Sequence, residues 1–239
     1  AVSILPKLVW HYDEPFSDSS AIPTYYVAQQ TRAHVTVALT GDGGDELFAG
    51  YPRYRAVALG AAFDRLPAPL RRMLAARFWQ NLPAGTSQKS KLRRFKRLVG
   101  ALGEPPGRRY FDWVSVFSEQ ARAGLYTDDY LATLPDADPY EFIATALARS
   151  ARRDPVTAAS LADTVTYLPC DLMTKVDIAS MAHSLECRAP FLDHRLVELA
   201  AAMPLGRKYR RGRGKRILLE AFGHLLPPEI LRRGKMGFG

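Results

Sequence analysis

The spacing of apolar residues changes period near the start of the chain. Residues 34–39, His-Val-Thr-Val-Ala-Leu, are β-branched and apolar, which predicts a buried strand. Residues 5–20 suggest an extended segment and loop, and Pro23 opens a segment with helical spacing. A glycine-rich loop and another helical pattern follow the strand. This order of elements is typical of an α/β unit with a parallel sheet.

After the glycine-rich loop the pattern is almost entirely helical. Apolar residues recur every three or four positions, and prolines and glycines end each periodic segment. Asp154 before Pro155, and Asp193, are typical helix starts. No second convincing strand is found. The predicted helices cover residues 45–63, 68–80, 88–102, 138–151, 155–187, 193–203 and 214–225.

Composition places the chain among ordinary globular proteins. It has 239 residues, of which 47% are hydrophobic and 24% charged. No apolar run approaches the roughly 20 residues that span a bilayer, so we expect a soluble protein without a membrane partner. The two cysteines, Cys170 and Cys187, fit neither a disulfide framework nor a zinc site. We expect both cysteines to be small buried residues. The lack of a disulfide framework favours a reducing compartment and therefore a cytoplasmic location.

The net charge is unusually positive. The chain carries 33 Lys and Arg against 24 Asp and Glu, a formal charge of +9, with basic runs at 89–97 and 207–216. A solvated basic face is favoured over nucleic-acid binding, because no nucleic-acid motif accompanies these runs. A nucleic-acid binder and a non-catalytic interaction module stay as alternatives.

The loop after the strand, residues 40–46, holds the first candidate chemistry. Its spacing matches neither a P-loop nor the dinucleotide fingerprint. Glycines let a backbone approach a ligand closely, and clustered carboxylates suit Mg²⁺ shared with phosphate oxygens. Capping of the next helix by Asp42 and Asp45 is the competing interpretation. The residues concerned are Gly41, Asp42, Gly43, Gly44, Asp45 and Glu46.

A resemblance to a known family gives this loop a context. The stretches DEPFSDSSAIP, VALTGDGGDELFAGY and YLPCDLMTKVDIASMAHSLECRAPFLDHRLVELAAAMP occur in that order. Together they resemble the synthetase domain of the glutamine-dependent asparagine synthetases, from about Leu5 to the last residues.

The resemblance implies a fold and a domain organisation. The fold is α/β, of the adenine nucleotide alpha hydrolase-like, PP-loop ATPase type. Residues 1–239 would be the carboxyl-terminal portion of that domain. Residues 1–55 would hold the last strand or strands of the nucleotide-binding sheet, and 56–239 a helical part.

The resemblance also implies a reaction. Such enzymes use ATP and Mg²⁺ to convert a carboxylate into an acyl-adenylate, and ammonia from a glutaminase domain then attacks the acyl carbon. Aspartate is the expected carboxylate, and a homodimer of the full-length protein is compatible with the family. Related amidotransferases and lactam or peptide cyclases are the alternative within the family.

Site residues follow from the same motifs. Asp45 resembles the carboxylate that holds Mg²⁺ with pyrophosphate, and Asp42 the acid beside the adenylate that accepts a proton from ammonia. Lys175 resembles the lysine that stabilises charge on the phosphates or at the acyl centre, with Gly41, Gly43 and Gly44 in the phosphate-binding loop.

Each assignment outside the glycine loop has a structural alternative. Lys175 lies four residues after Asp171, so the two could form a surface ion pair on a helix. The other supporting residues are Glu46, Glu186 and Arg188, the last two as a buried or half-buried ion pair. We expect His183 and His194 to form structural hydrogen bonds. The acids at the start of the chain are expected either to line the substrate entrance or to shape a loop, and they are Asp13, Glu14 and Asp18.

Two family motifs are absent from the sequence. These are the Ser-Gly-Gly-x-Asp-Ser loop of the ATP site and the amino-terminal Cys of the glutaminase domain. We therefore expect a part of a longer synthetase that neither activates a carboxylate nor hydrolyses glutamine by itself.

Overall fold

The computed structural model of the chain describes residues 2–74, 96, 98–135 and 137–232. Contacts divide the chain into two compact units, Ala1–Tyr51 with Ser160–Gly239 and Pro52–Ala159. The predicted division near residue 55 stays a prediction. No helix among the described residues is long and apolar enough to cross a membrane.

Helices account for most of the described secondary structure, and only short strands interrupt them. The strands are β1 Val37–Leu39 and β2 Glu186–Arg188, and a π-helix covers Leu168–Met173. The α-helices, in chain order, are α1 Leu5–Tyr12, α2 Ala21–Arg32, α3 Gly44–Leu47, α4 Pro52–Asp64, α5 Ala68–Leu74, α6 Pro106–Val114, α7 Glu119–Ala123, α8 Asp128–Thr133, α9 Tyr140–Ala148, α10 Pro155–Val165, α11 Thr174–Met181, α12 His194–Ala202, α13 Leu205–Lys208, α14 Arg216–Phe222 and α15 Pro228–Arg232.

The first unit contains the predicted parallel sheet. Strand β1 pairs with β2 in parallel, with Val37 opposite Glu186 and Leu39 opposite Arg188. The expected burial of β1 is wrong, because Val37 is 38% and Leu39 74% exposed. A sheet of two strands leaves both strands with an open edge, whereas a central strand of a larger sheet is covered.

The core of the first unit forms between α1, α2 and α11. Leu8 and Tyr12 lie one turn apart on α1 and pack with Tyr25 and Ala179. The predicted extended segment over 5–20 is therefore wrong in its first half. The apolar spacing of α1 buries one face of a short helix, and Pro6 occupies its first turn, where proline is tolerated.

The predicted helix over 155–187 is present as α10, the π-helix and α11, and it is wrong after Met181, where the helix ends. Pro169 has no N–H to donate, and here the backbone widens into the π-helix before α11 begins. Ser184 then adopts a left-handed conformation with φ 56°, and β2 follows. The pairing of β2 with β1 is a long-range interaction, so local helical spacing could not reveal it.

The predicted helix over 45–63 is also interrupted. Ala49 has φ 52°, which ends α3, and Pro52 begins α4. Helices α6, α7 and α8 fall in a region where none was predicted. Those predicted over 138–151, 193–203 and 214–225 are present with shorter bounds. Most of the predicted helix over 88–102, and the end of that over 68–80, lie outside the described residues.

Candidate functional site

The loops that follow β1 and β2 meet at the carboxyl edge of the sheet. The Thr40 N–H donates to the Arg188 carbonyl at 2.8 Å, which extends the pairing past both strands. Gly43 and Gly44 then pack against the residues that follow β2, with the side chains of Leu192 and Phe191 beside them. Ligands of open parallel sheets bind at this edge, so the glycine loop occupies the expected position for a site.

The three loop glycines differ in their backbone conformation and in the space around them. Gly43 has φ +83°, and a Cβ there would collide with the Leu192 side chain. A Cβ on Gly44 would lie 3.3 Å from the Phe191 ring, whereas a Cβ on Gly41 would meet nothing within 4 Å. Helix α3 has Gly43 as its N-cap and no side-chain cap. The N-cap residue therefore makes no side-chain capping hydrogen bond, but Asp45 lies in the first turn, where the helix dipole favours a carboxylate.

Asp45 forms an ion pair with Lys215, which was not among the predicted site residues. The Lys215 Nζ lies 3.0 Å from the Asp45 Oδ1, with side chains 39% and 22% exposed. The Lys215 N–H donates to the Phe48 carbonyl at 2.7 Å, and Gly214 packs directly on the backbone of Ala49. The Gly-Lys pair in GKRILLEA was the available signal for this lysine.

Glu46 points into the protein instead of towards the loop. Its side chain is 1% exposed, and its Oε1 accepts a hydrogen bond from the Tyr51 hydroxyl at 2.5 Å. Burial raises the pKa of Glu46, the Tyr51 hydrogen bond opposes that increase, and the charges of Asp45 and Asp163 add to it. Burial and the charge of Glu46 also raise the pKa of Tyr51.

The three acidic residues of the loop therefore do not converge on one point. Asp42 is half-buried and makes no hydrogen bond or ion pair with any described residue. Among the residues the structure describes, no three His, Cys, Asp or Glu side chains are grouped to hold a metal ion. Proteins often bind Mg²⁺ through one or two carboxylates together with phosphate oxygens and water, so a magnesium site at this loop does not require three grouped side chains.

Lys175 lies in a second charged group, on α11. It is 7% exposed, and its Nζ contacts the Asp18 Oδ2 at 2.5 Å. The Tyr12 hydroxyl donates to the Lys175 carbonyl at 3.1 Å. The alternative of a surface pair with Asp171 is wrong, because Lys175 is buried and forms its ion pair with Asp18.

The acids near Lys175 have opposite pKa shifts. Burial alone would raise the pKa of Asp18, but hydrogen bonds from Lys175 and Ser20 outweigh it and lower the pKa. Burial and the charge of Asp18 raise the pKa of Asp171, against the attraction of Lys175. One Asp171 oxygen, Oδ1, is buried without a hydrogen-bond partner in the described part of the chain. From the sequence, Asp171 is predicted only as a surface partner of Lys175.

One predicted ion pair and one predicted buried cysteine are more exposed than expected from the sequence. The Arg188 Nε contacts the Glu186 Oε1 at 2.6 Å, but the side chains are 64% and 53% exposed. The predicted burial of this pair is wrong, since both residues lie on the same open face of β2. His183 packs edge-on against Tyr25 at 4.1 Å, and its Nε2 has no hydrogen-bond partner among the described residues. Cys170 is exposed, which contradicts its predicted burial.

Comparison with known proteins identifies the family. A profile described as asparagine synthase matches residues 1–239. The chain belongs to the asparagine synthase family. A putative glutamine-hydrolysing asparagine synthetase of Mycobacterium tuberculosis is 37% identical over 238 residues, covering 99% of this chain and 34% of the relative. The glutamine-hydrolysing asparagine synthetase 1 of Bacillus subtilis is 35% identical, covering 98% and 35%.

More distant relatives carry a different name. The amidase chyE of Penicillium rubens is 28% identical over 252 residues, covering 96% of this chain and 36% of the relative. The chain thus spans about a third of the length of the curated relatives it matches. No solved structure shows significant similarity.

Proposed function

We propose that this chain provides one part of the site of an ATP-dependent amide-forming ligase. In that reaction a carboxylate is activated as its acyl-adenylate, ammonia forms the amide, and AMP and pyrophosphate leave. The observation that carries the proposal is the Asp45 and Lys215 ion pair, next to a glycine loop at the carboxyl edge of a parallel sheet.

The glycine loop and Lys215 would hold the phosphates. Asp45 would bind Mg²⁺ jointly with phosphate oxygens, and Lys215 would release it to contact a phosphate. Gly41 has open space around its Cα, so its backbone is accessible to the ligand. Positive charge at this position would stabilise the departing pyrophosphate.

Asp42 and Lys175 would act at the acyl centre. Asp42 has no protein partner among the described residues, so its carboxylate is available to accept a proton from ammonia. Lys175 would stabilise negative charge on the phosphates or at the acyl carbon, with Asp18 fixing its position. Glu46, Glu186 and Arg188 are proposed as support for the site and not as reacting groups.

The substrates follow from the family. The cofactors would be ATP and Mg²⁺, and the nitrogen would be ammonia released from glutamine by a glutaminase domain. Aspartate is the proposed carboxylate, because relatives over the whole chain are named asparagine synthetases. The match to a protein named amidase supports another carboxylate as the second candidate. We expect the 239-residue chain alone to release no pyrophosphate from ATP.

Titration calorimetry with Mg-ATP tests the phosphate-binding part of the proposal. We expect saturable binding by the 239-residue chain and a loss of about tenfold or more in Lys215→Met, which corresponds to ~1.4 kcal/mol. Lys7→Met removes an exposed lysine of the same unit and is the matched control. It should bind within twofold of the parent.

Two results would contradict the proposal. One is no saturable Mg-ATP binding by the parent chain, and the other is an equal loss in Lys7→Met and Lys215→Met. Circular dichroism of each variant would verify that it is folded before its affinity is interpreted.

A further inference from the structure

The helical unit Pro52–Ala159 contains a cavity that the proposed reaction does not use. Its volume is about 450 Å³, and α4, α6, α9 and the first residues of α10 line it. Small-molecule sites commonly measure about 300–1,000 Å³, so the space suits a ligand of modest size. Residues of the glycine loop, Lys175 and Lys215 are not among its lining residues.

Small side chains leave this cavity open, and aromatic rings form part of its wall. Ala61, Ala144 and Ala158 contribute no bulk beyond Cβ, whereas Tyr110 and Trp113 present large apolar surfaces. Tyr140 also lines the space, and its hydroxyl lies where a Cβ on Gly107 would be. The interior is thus suited to an apolar ligand body.

The buried charge in the wall is neutralised. Arg109 is 2% exposed, and its Nη1 and Nη2 donate to the two oxygens of Asp64 at 3.2 and 2.5 Å. Gly60 makes room for this guanidinium, since a Cβ there would lie 3.2 Å from the Arg109 Cζ. The bidentate pair fixes Arg109 and leaves it no net charge to attract a ligand.

Two further arginines of the lining keep their charge. Arg65 and Arg153 are exposed and form no ion pair with any residue that the structure describes. Because Arg109 and Asp64 cancel, Arg65 and Arg153 give the cavity two positive charges beside an apolar interior. An arginine side chain binds a carboxylate in a planar, bidentate geometry.

We propose that this cavity binds a small apolar carboxylic acid, such as an arylalkanoate or a medium-chain alkanoate. The hydrocarbon body lies among the alanines and the rings of Tyr110 and Trp113. The carboxylate lies between the guanidinium groups of Arg65 and Arg153. The site is separate from the residues that form the proposed phosphate site, so its failure and the failure of the proposed function are independent.

Titration of the 239-residue chain with three acids tests this site: 4-phenylbutyrate, hexanoate and 3-(indol-3-yl)propionate. At least one of the acids should bind saturably. Its affinity should be at least tenfold higher than that of the neutral alcohol of the same length. Arg65→Gln and Arg153→Gln should each weaken that acid at least threefold without changing the affinity for the alcohol. Ala144→Leu should weaken acid and alcohol alike by filling the cavity.

Arg149→Gln is the control, because Arg149 is an exposed arginine next to α9 that does not line the cavity. It should leave the affinity within twofold of the parent. Failure of all three acids to bind would overturn the proposal. So would equal affinity for acid and alcohol, or a loss in Arg149→Gln as large as in Arg65→Gln and Arg153→Gln. Thermal melts separate these outcomes from unfolding, and the arginine substitutions are at exposed positions that tolerate change.

Discussion

Two lysine and aspartate pairs of the first unit have the same chemistry but different surroundings. In the pair of Lys175 with Asp18, the side chains are 9% and 23% exposed and the distance is 2.5 Å. In the pair of Lys215 with Asp45, they are 39% and 22% exposed and the distance is 3.0 Å. The first pair lies beside the core of α1, α2 and α11, and the second lies on the glycine loop.

The difference in exposure separates a pair that holds its lysine in one position from a pair that can open for a ligand. Removal of one partner from a buried ion pair leaves an uncompensated charge in the interior, which destabilises the fold. Lys175 and Asp18 therefore hold each other in place. A half-exposed pair contributes little stability, so Lys215 and Asp45 can separate when a phosphate and a metal ion offer new partners. Lys175→Met and Lys215→Met test this contrast, and substitutions in and next to the glycine loop fall between them in expected effect on stability.

The largest loss of stability should come from Lys175→Met. It leaves the carboxylate of Asp18 without its cation and close to Asp171, so the free energy of unfolding should fall by about 3 kcal/mol. Urea unfolding at pH 7 measures the change. Lys7→Met, at an exposed position, should change stability by less than about 0.5 kcal/mol. Similar losses in the two variants would mean that the ion pair of Lys175 with Asp18 does not stabilise the fold.

Gly43→Ala should lower the free energy of unfolding by about 2 kcal/mol. The cost combines a left-handed backbone at φ +83° with displacement of Leu192. Gly41→Ala is the matched control, because a Cβ there meets nothing within 4 Å and its φ is not positive. Thermal melts of both variants compare them, and equal stability would contradict the packing described for the loop.

Tyr51→Phe should cost about 1.5 kcal/mol, because it removes the hydroxyl that donates to the buried Glu46. Tyr26→Phe, at a 39% exposed ring, is the control and should be near neutral. The pH dependence adds a second readout. Burial raises the folded-state pKa of Glu46 above its ordinary value of 4.5, so the folded state binds more protons than the unfolded state between the two values.

The stability that protonated Glu46 contributes is therefore complete below its unfolded-state pKa and is lost as pH rises through the folded-state pKa. Glu46→Gln, which keeps an acceptor for Tyr51, should flatten the fall in stability as pH rises above about 4.5. Urea unfolding at several pH values measures the slope, and an unchanged slope would exclude Glu46 as its source.

The smallest loss of stability should come from Lys215→Met. Its ion pair with Asp45 is half-exposed, so the free energy of unfolding should fall by less than about 1 kcal/mol. A loss comparable to that of Lys175→Met would mean that the two pairs have the same structural role. Urea unfolding under the same conditions provides the comparison.

Local patterns predicted the glycine loop better than the segment that contains Lys175. The parallel strand, its glycine loop and the helix starting at Asp193 depend on neighbouring residues, and all three are present. Strand β2 and the partners of Lys175 and Asp45 depend on residues far away in sequence. Asp18 and Lys175 are 157 positions apart, and no local period connects them. Pro169 signals a break in the regular α-helix. It does not predict that the backbone widens into a π-helix at this position.

The most direct test compares neighbouring acids, Asp45 and Glu46, by calorimetry with Mg-pyrophosphate. Asp45 forms an ion pair with the half-exposed Lys215, and Glu46 is buried against Tyr51. This difference in placement predicts that Asp45→Asn weakens Mg-pyrophosphate binding by about tenfold or more, whereas Glu46→Gln stays within about twofold of the parent. An equal loss in both variants, or a loss only in Glu46→Gln, would contradict it.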